Sequence, residues 1–200
     1  MLSKISKLIA KNMVLRTKED KEKEPIYIYG IEIMITTFVG IFSILFLSGI
    51  CSDLASGVIF IFTFVPLRLF TGGYHASTYG KCFILSNLSY ISILFLKNIA
   101  WNKIPFWIWF LILMSVSSYI TKSAPVINVN QPISEYKQQR SRKIAKGILF
   151  VEIVWIAYLS RAKRELMSMS ILSIFLVAVF MLIADKNILR KTIGKEVTGL

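Results

Sequence analysis

The only histidine of this 200-residue chain and one of its two cysteines lie seven positions apart, in the stretch "RLFTGGYHASTYGKC" at 68–82. A cysteine thiolate is a strong nucleophile. A neighbouring imidazole can take up the thiol proton and later protonate a leaving amine. These residue types therefore suggest a catalytic dyad, with Cys82 as the nucleophile and His75 as the general base and acid.

The spacing between His75 and Cys82 sets a geometric requirement. Seven residues of straight helix would separate the two side chains by about 10 Å along the axis, which is too far for a hydrogen bond. The stretch also contains Gly72, Gly73 and Gly80, and glycine adopts backbone angles that other residues resist. We therefore predict a turn or a helix break within 72–80.

The composition indicates the elements that must hold this stretch. Hydrophobic residues make up 55% of the chain and charged residues 18%, against about 45–50% and about 25% in a soluble domain. The apolar residues form six long runs, and in a bilayer such runs adopt helices because each backbone polar group must be satisfied internally. We expect an all-α polytopic membrane protein with about six spans, of which the second and fifth are short. The runs are 31–50, 55–70, 83–100, 104–121, 146–160 and 167–185.

The positive charges favour one orientation of these spans. Nineteen of the 24 lysines and arginines fall on one side of the predicted bilayer, and the positive-inside bias makes that side cytoplasmic, with both termini. This topology, with contact to an anionic inner leaflet, explains the net charge of +13 without a nucleic-acid partner. The inner cations lie in 1–30, at Arg68 and Lys81, in 122–146 and in 186–200, and the outer ones are Lys97, Lys103, Arg161, Lys163 and Arg164.

The N-terminal residues 1–30 form a segment of their own, followed by a membrane domain at 31–200. Leu2, Ile5 and Leu8 recur at helical spacing with lysines between them, which is typical of a basic amphipathic helix in the membrane surface. An ordinary solvated lead-in fits equally well. A charged linker, "TKEDKEKEP", then approaches the first span.

Other polar residues are weaker candidates for function. Arg68 could extend its side chain to the headgroups, or it could hold a substrate carboxylate or polarise the scissile carbonyl. Glu152 is the one carboxylate well inside a predicted span, where it could serve a function, orienting His75 for example, or pair with Lys146.

Cys51 is expected on the side of the membrane opposite Cys82, and one histidine with two separated cysteines cannot form an ordinary zinc site. We therefore expect neither a metal nor a cofactor. We interpret Trp101, Trp107 and Trp109 as interface anchors and loop residues Asn128 and Asn130 as turn caps.

The central motif resembles a known family. Its pattern, R-x-x-x-G-G-x-H-A-x-x-x-x-x-C, is similar to the signature of the accessory gene regulator protein B (AgrB) family, which are membrane cysteine peptidases of Gram-positive bacteria. A second stretch, "SAPVINVNQPI" at 123–133, is similar to the A-P…P-I stretch of that family. It departs from the family at Asn130 and Gln131, where lysines are common. The matching residues of the motif are Arg68, Gly72, Gly73, His75, Ala76 and Cys82.

The resemblance implies a function and a location. The family cleaves the C-terminal part of a quorum-sensing pheromone precursor through an acyl-enzyme thioester and promotes its cyclisation to a thiolactone or lactone. By motif position Cys82 and His75 would be catalytic, while Arg68, Gly72 and Gly73 would support them or bind substrate. The partners would be the precursor peptide and the cell membrane, and a homo-oligomer stays open. The alternative is a non-catalytic transporter or peptide exporter whose Gly-Gly-x-His segment lines a pathway. A lipid-modifying enzyme ranks last, because the spans hold no acidic cluster.

Overall fold

The chain folds into helices, as the sequence predicts. The computed structural model describes residues 2–17, 24–73, 78–126 and 134–198, and within these ranges it contains seven α-helices and no strands. The all-α prediction is confirmed. The helices are α1 (Leu2–Thr17), α2 (Glu24–Ile50), α3 (Leu54–Thr71), α4 (Tyr79–Ala100), α5 (Phe106–Ser123), α6 (Glu135–Ala162) and α7 (Arg164–Thr198).

Helices α2 to α7 alternate in direction, because short connections between helices favour antiparallel neighbours. At one end of the bundle Gly72, which follows α3, forms a backbone bridge with Val126, which follows α5. Cys82 lies near the start of α4 at this same end, which we call the Cys82 end. At the opposite end, Lys97 in the last turn of α4 contacts Glu165 in the first turn of α7. We call this the Lys97 end.

Helix α7 is the most buried of the helices that could cross a membrane. In the most apolar 18-residue stretch within 164–185, 61% of the residues are buried, against 11% in the corresponding stretch of α2. Helix α7 packs against α3, α4, α5 and α6. Large apolar side chains on the outside of the bundle are exposed, as expected for helices whose outer surface meets lipid. They include Phe42, Phe46, Phe62, Leu69, Phe95 and Phe150.

Five helices are long and apolar enough to cross a membrane: α2, α3, α4, α5 and residues 164–185 of α7. The remaining predicted span, 146–160, lies inside α6, where Glu152 interrupts the apolar stretch and Lys146 and Arg161 lie near its ends. Composition alone therefore supports five spans rather than about six. Nevertheless α6 runs from the Cys82 end to the Lys97 end and packs against α3 and α7, so the bundle contains six antiparallel helices.

The N-terminal helix α1 packs along α2. Ser6, Ala10 and Val14 recur every fourth residue and are buried, which identifies the stripe that faces α2. Lys7 and Leu8 are exposed. The predicted helix is confirmed, whereas its position in the membrane surface stays a prediction. The division of the chain at residue 30 also stays a proposal.

A buried ion cluster holds the Lys97 end together. Lys97 is fully buried, and its Nζ donates to Asp53 Oδ2 at 2.6 Å, to Ser56 Oγ at 3.1 Å and to Glu165. Counting Lys97 among the outer-loop cations was therefore wrong, because this side chain turns inward to two carboxylates. A buried ammonium is tolerated only when it is paired in this way.

Asp53 has a second role, because it also caps α3. Its carboxylate accepts a hydrogen bond from the Ser56 amide at 3.1 Å, which satisfies one of the free donors at the helix start. Burial by itself would raise the pKa of Asp53, but the hydrogen bonds from Lys97 and Ser56 outweigh it and lower the pKa. The cluster thus joins the start of α3, the end of α4 and the start of α7.

Replacing Lys97 with methionine should destabilise the bundle. Lys97→Met leaves the carboxylates of Asp53 and Glu165 without their cation, so we expect a loss of about 2 kcal/mol. This is less than a fully buried pair would cost, because the Glu165 side chain is 47% exposed. Thermal unfolding in detergent measures the change, and Lys103→Met, an exposed lysine at the same end, is the matched control. Equal melting temperatures for the two variants would contradict the assignment.

Candidate active site

Cys82 lies near the N-terminus of α4. The helix begins at Tyr79 after Thr78, whose backbone is extended (φ −140°, ψ 152°) and whose hydroxyl accepts from the Lys81 amide. The Cys82 amide donates to the Thr78 carbonyl at 3.0 Å and so closes the first turn. Its thiol is free and the residue is exposed. Cys51, also free, lies at the Lys97 end, so the two cysteines lie at opposite ends as expected.

The helix is interrupted between α3 and α4, as the spacing of His75 and Cys82 predicts. Helix α3 ends at Thr71, and Gly72 and Gly73 have positive φ angles of 69° and 115°. The predicted break within 72–80 is confirmed, although Gly80 belongs to α4 rather than to the turn. His75 falls in 74–77, outside the described residues, so its contact with Cys82 stays a prediction.

Arg68 turns its side chain toward the interior of the bundle. Its Nη1 donates to the Gly72 carbonyl at 2.7 Å, and its guanidinium carbon lies 4.9 Å from the centre of the Phe180 ring on α7. It also lies within electrostatic range of Cys82. The Arg68 side chain therefore does not extend outward to the lipid headgroups, which was one of the two alternatives. The side chain instead ties the end of α3 to the following turn and to α7.

Gly72 and Gly73 are required by close approaches as well as by their backbone angles. A Cβ atom on Gly73 would overlap Nη1 of Arg68 and would lie 3.2 Å from the Phe180 carbonyl oxygen. A Cβ atom on Gly72 would lie 2.5 Å from the Val126 carbonyl oxygen. The paired glycines therefore let this turn lie directly against the backbones of α7 and of the segment after α5.

The second motif stretch lies against the first. The Val126 amide donates to the Thr71 carbonyl at 2.9 Å, beside the bridge between Val126 and Gly72. On α6, Arg142 Nε donates to the Ala124 carbonyl at 2.9 Å. The start of "SAPVINVNQPI" is thus part of the same assembly as the glycine turn. Its later part, which includes Asn128, Asn130 and Gln131, lies outside the described residues.

Glu152 is buried in α6, with 7% of its surface exposed. Neither of its carboxylate oxygens has a hydrogen-bond partner among the described residues. The alternative in which Glu152 pairs with Lys146 is not observed, and the Lys146 side chain is exposed. The role of Glu152 in orienting His75 stays a prediction, because His75 lies outside the described residues.

A cavity of about 330 Å³ lies at the Lys97 end, far from Cys82. Its lining includes Trp101, Trp109 and Arg164, and none of the motif residues contributes to it. Trp109 is 1% exposed, so interpreting it as an interface anchor was wrong, whereas Trp107 is 62% exposed and fits that role. Tryptophan spacing in an apolar run does not reveal which side of the helix faces the neighbouring helices.

Adding a methyl group to Gly73 should disrupt the site. Gly73→Ala places a side chain at a positive φ angle and against the Arg68 guanidinium, so we expect a loss of about 2 kcal/mol. Gly80→Ala is the matched control, since a Cβ atom there has no neighbour within 4 Å, and it should stabilise α4 by about 0.5 kcal/mol. Thermal unfolding in detergent compares them, and a neutral Gly73→Ala would refute the close packing.

Comparisons with known proteins agree on one family. Residues 2–183 match the family model described as accessory gene regulator B. The chain is 32% identical over 207 residues to an AgrB-like protein of Clostridium perfringens strain SM101, with 96% of each chain covered. It is also 32% identical over 164 residues to AgrB-like protein 2 of Clostridium perfringens strain 13, with 77% of each covered. No solved structure matches it. The resemblance to this family is thus confirmed, and the chain belongs to the accessory gene regulator B family.

Proposed function

We propose that this protein is a membrane-embedded cysteine endopeptidase that cleaves the C-terminal part of a quorum-sensing pheromone precursor and promotes its cyclisation. Family membership supports a role in the accessory gene regulator system, with a peptide precursor as the substrate in a membrane. The observation that carries the proposal is the exposed, free thiol of Cys82 in the first turn of α4. It lies beside the turn that Arg68, Gly72 and Gly73 build.

The first chemical step is acyl transfer to sulfur. His75 takes the thiol proton, and the Cys82 sulfur attacks the carbonyl carbon of the scissile bond to form a carbon–sulfur bond. The carbon–nitrogen bond then breaks, and the His75 imidazolium gives its proton to the departing amine. The N-terminal part of the precursor remains on Cys82 as a thioester.

The second step closes the ring. A nucleophilic side chain of the bound peptide, usually a cysteine, attacks the thioester carbonyl carbon. The carbon–sulfur bond to Cys82 breaks, and the proton of the attacking group returns to the Cys82 thiolate. A thioester and a thiolactone are similar in chemical type, so closure needs no added energy source. Water is the competing nucleophile. Tethering gives the peptide side chain a high effective concentration, and a site at the membrane boundary limits access of water, so both favour closure over hydrolysis.

Arg68 supports this chemistry from the end of α3. Its guanidinium is held by the Gly72 carbonyl and by the Phe180 ring, within electrostatic range of Cys82. A fixed cation near the proposed nucleophile suits a substrate carboxylate or the negative charge that develops on the scissile carbonyl oxygen. Gly72 and Gly73 contribute by letting the turn approach α7 and the segment after α5.

The proposed setting is the cell membrane of a Gram-positive bacterium. With both termini cytoplasmic, the Cys82 end would face the cytoplasm, where the ribosomally made precursor is found. Nineteen of the 24 lysines and arginines would then lie on the inner side, next to anionic lipid.

Substitution of either proposed catalytic residue should abolish cleavage. Cys82→Ala and His75→Ala should each lower precursor cleavage by about 10²-fold or more, because one removes the nucleophile and the other the proton carrier. Mass spectrometry of a co-expressed precursor measures the product, and membrane fractionation verifies insertion. Cys51→Ala should cleave normally. A transporter or exporter would instead keep partial function with Cys82→Ser, and cleavage by Cys82→Ala would refute the peptidase.

The alkylation rate of Cys82 should show whether His75 and Cys82 act as a dyad. In a Cys51→Ala background the alkylation of Cys82 by iodoacetamide at pH 7 should fall about tenfold in His75→Ala, because no imidazole then takes up the thiol proton. The rate is measured by mass spectrometry across a range of pH. Identical pH profiles with and without His75 would argue against a working dyad.

A further inference from the structure

The carboxylate of Glu32 joins three helices. Glu32 belongs to α2, and its Oε1 accepts a hydrogen bond from the Ser6 hydroxyl of α1 at 2.9 Å. Its Oε2 accepts from the Tyr79 hydroxyl of α4 at 2.7 Å. We call these three residues the Glu32 clasp. Hydrogen bonds to an ionised acceptor are stronger than those between neutral groups, so each bond helps to fix the position of its helix.

The clasp acts on the turn that carries the proposed nucleophile. Tyr79 is the first residue of α4, and Cys82 follows three positions later. Residues three apart are neighbours on a helix surface, so Tyr79 and Cys82 lie on about the same face. Holding the Tyr79 hydroxyl at Glu32 of α2 therefore restrains the first turn of α4.

The clasp also connects this turn to the N-terminal helix. Ser6 is fully buried in the stripe with which α1 packs on α2, together with Ala10 and Val14. Helix α1 thus contacts α2 beside the residue that holds Tyr79. Among the described residues, displacing α1 from α2 would remove one of the two hydrogen-bond donors to the Glu32 carboxylate and would leave that carboxylate less ordered.

A second hydrogen bond between α2 and α4 lies further from Cys82. Ser43 donates to Asn87 Oδ1 at 2.8 Å, and Asn87 lies more than a helical turn beyond Cys82. This bond also links two side chains, although its acceptor is a neutral amide, and it joins the same two helices, α2 and α4. Removing this bond therefore tests the general packing of α2 on α4, without changing the hydrogen bonds at the start of α4.

We propose that Glu32 is a positioning residue for Cys82 and that the clasp couples the seating of α1 to the reactivity of this thiol. The inference rests on the proposed function where it concerns peptide cleavage. It extends that function by assigning a role to α1, which contains no residue of the central motif. The clasp holds the first turn of α4 in the orientation in which Cys82 meets the scissile carbonyl.

The test compares Tyr79→Phe, Ser6→Ala and Ser6→Thr with Ser43→Ala as the matched control. Tyr79→Phe should lower kcat for precursor cleavage about tenfold, as expected for loss of a hydrogen bond to a charged group, with KM unchanged. Ser6→Ala should lower kcat about threefold, and Ser6→Thr, which keeps the hydroxyl, should restore it. Ser43→Ala should have the kcat of the unaltered protein.

A second measurement does not depend on cleavage. In each variant the iodoacetamide reaction rate of Cys82 is divided by that of Cys51, which is exposed at the opposite end and serves as the internal reference. Tyr79→Phe should change this ratio about fivefold or more, and Ser43→Ala should leave it unaltered. If Tyr79→Phe fails to fold, Glu32→Gln replaces it, since glutamine keeps the side-chain size and one acceptor oxygen.

The outcomes are distinct. Tyr79→Phe behaving like Ser43→Ala in both measurements would overturn the clasp, and an effect of Tyr79→Phe without one of Ser6→Ala would overturn the role of α1. If Cys82→Ala still cleaves the precursor, the proposed function fails. The ratio of thiol reactivities would still decide whether the clasp controls Cys82.

Discussion

A polar turn between two membrane helices must satisfy its backbone groups within the protein, because the bilayer interior offers no water. This constraint governs the connection between α3 and α4. The Thr71 carbonyl accepts from Val126, and the Gly72 carbonyl accepts from Arg68. Each of these bonds comes from a different part of the chain. The turn is therefore stable only when the segment after α5 and the end of α3 are both in place.

The same constraint explains why the site is built on glycines. Bulkier residues would separate the turn from α7 and from Val126, and the backbone bonds would then be lost. A positively charged side chain at the end of a membrane helix also needs a partner when it turns inward. Arg68 contacts the Gly72 carbonyl oxygen and the Phe180 ring. The polar groups of the turn thus stabilise one another.

The Lys97 end complements this arrangement. There a buried ammonium with two carboxylates joins α3, α4 and α7, and two of these helices, α3 and α7, also contact the glycine turn at the Cys82 end. Because α3, α4 and α7 are joined at one end and packed along their lengths, their other ends are held in a defined relation. The ion cluster and the glycine turn thus both involve α3 and α7, at opposite ends of the bundle.

The sequence by itself determined the helical class, the family and the break between His75 and Cys82, because these depend on local properties: apolar run length, motif spacing and the freedom of glycine. The inward direction of Lys97 and Arg68, the burial of Trp109 and the course of α6 along the bundle were decided only by the tertiary structure. Each of these depends on which face of a helix meets a neighbour. In a chain where almost every face is apolar, periodicity does not distinguish a face that meets lipid from one that meets protein.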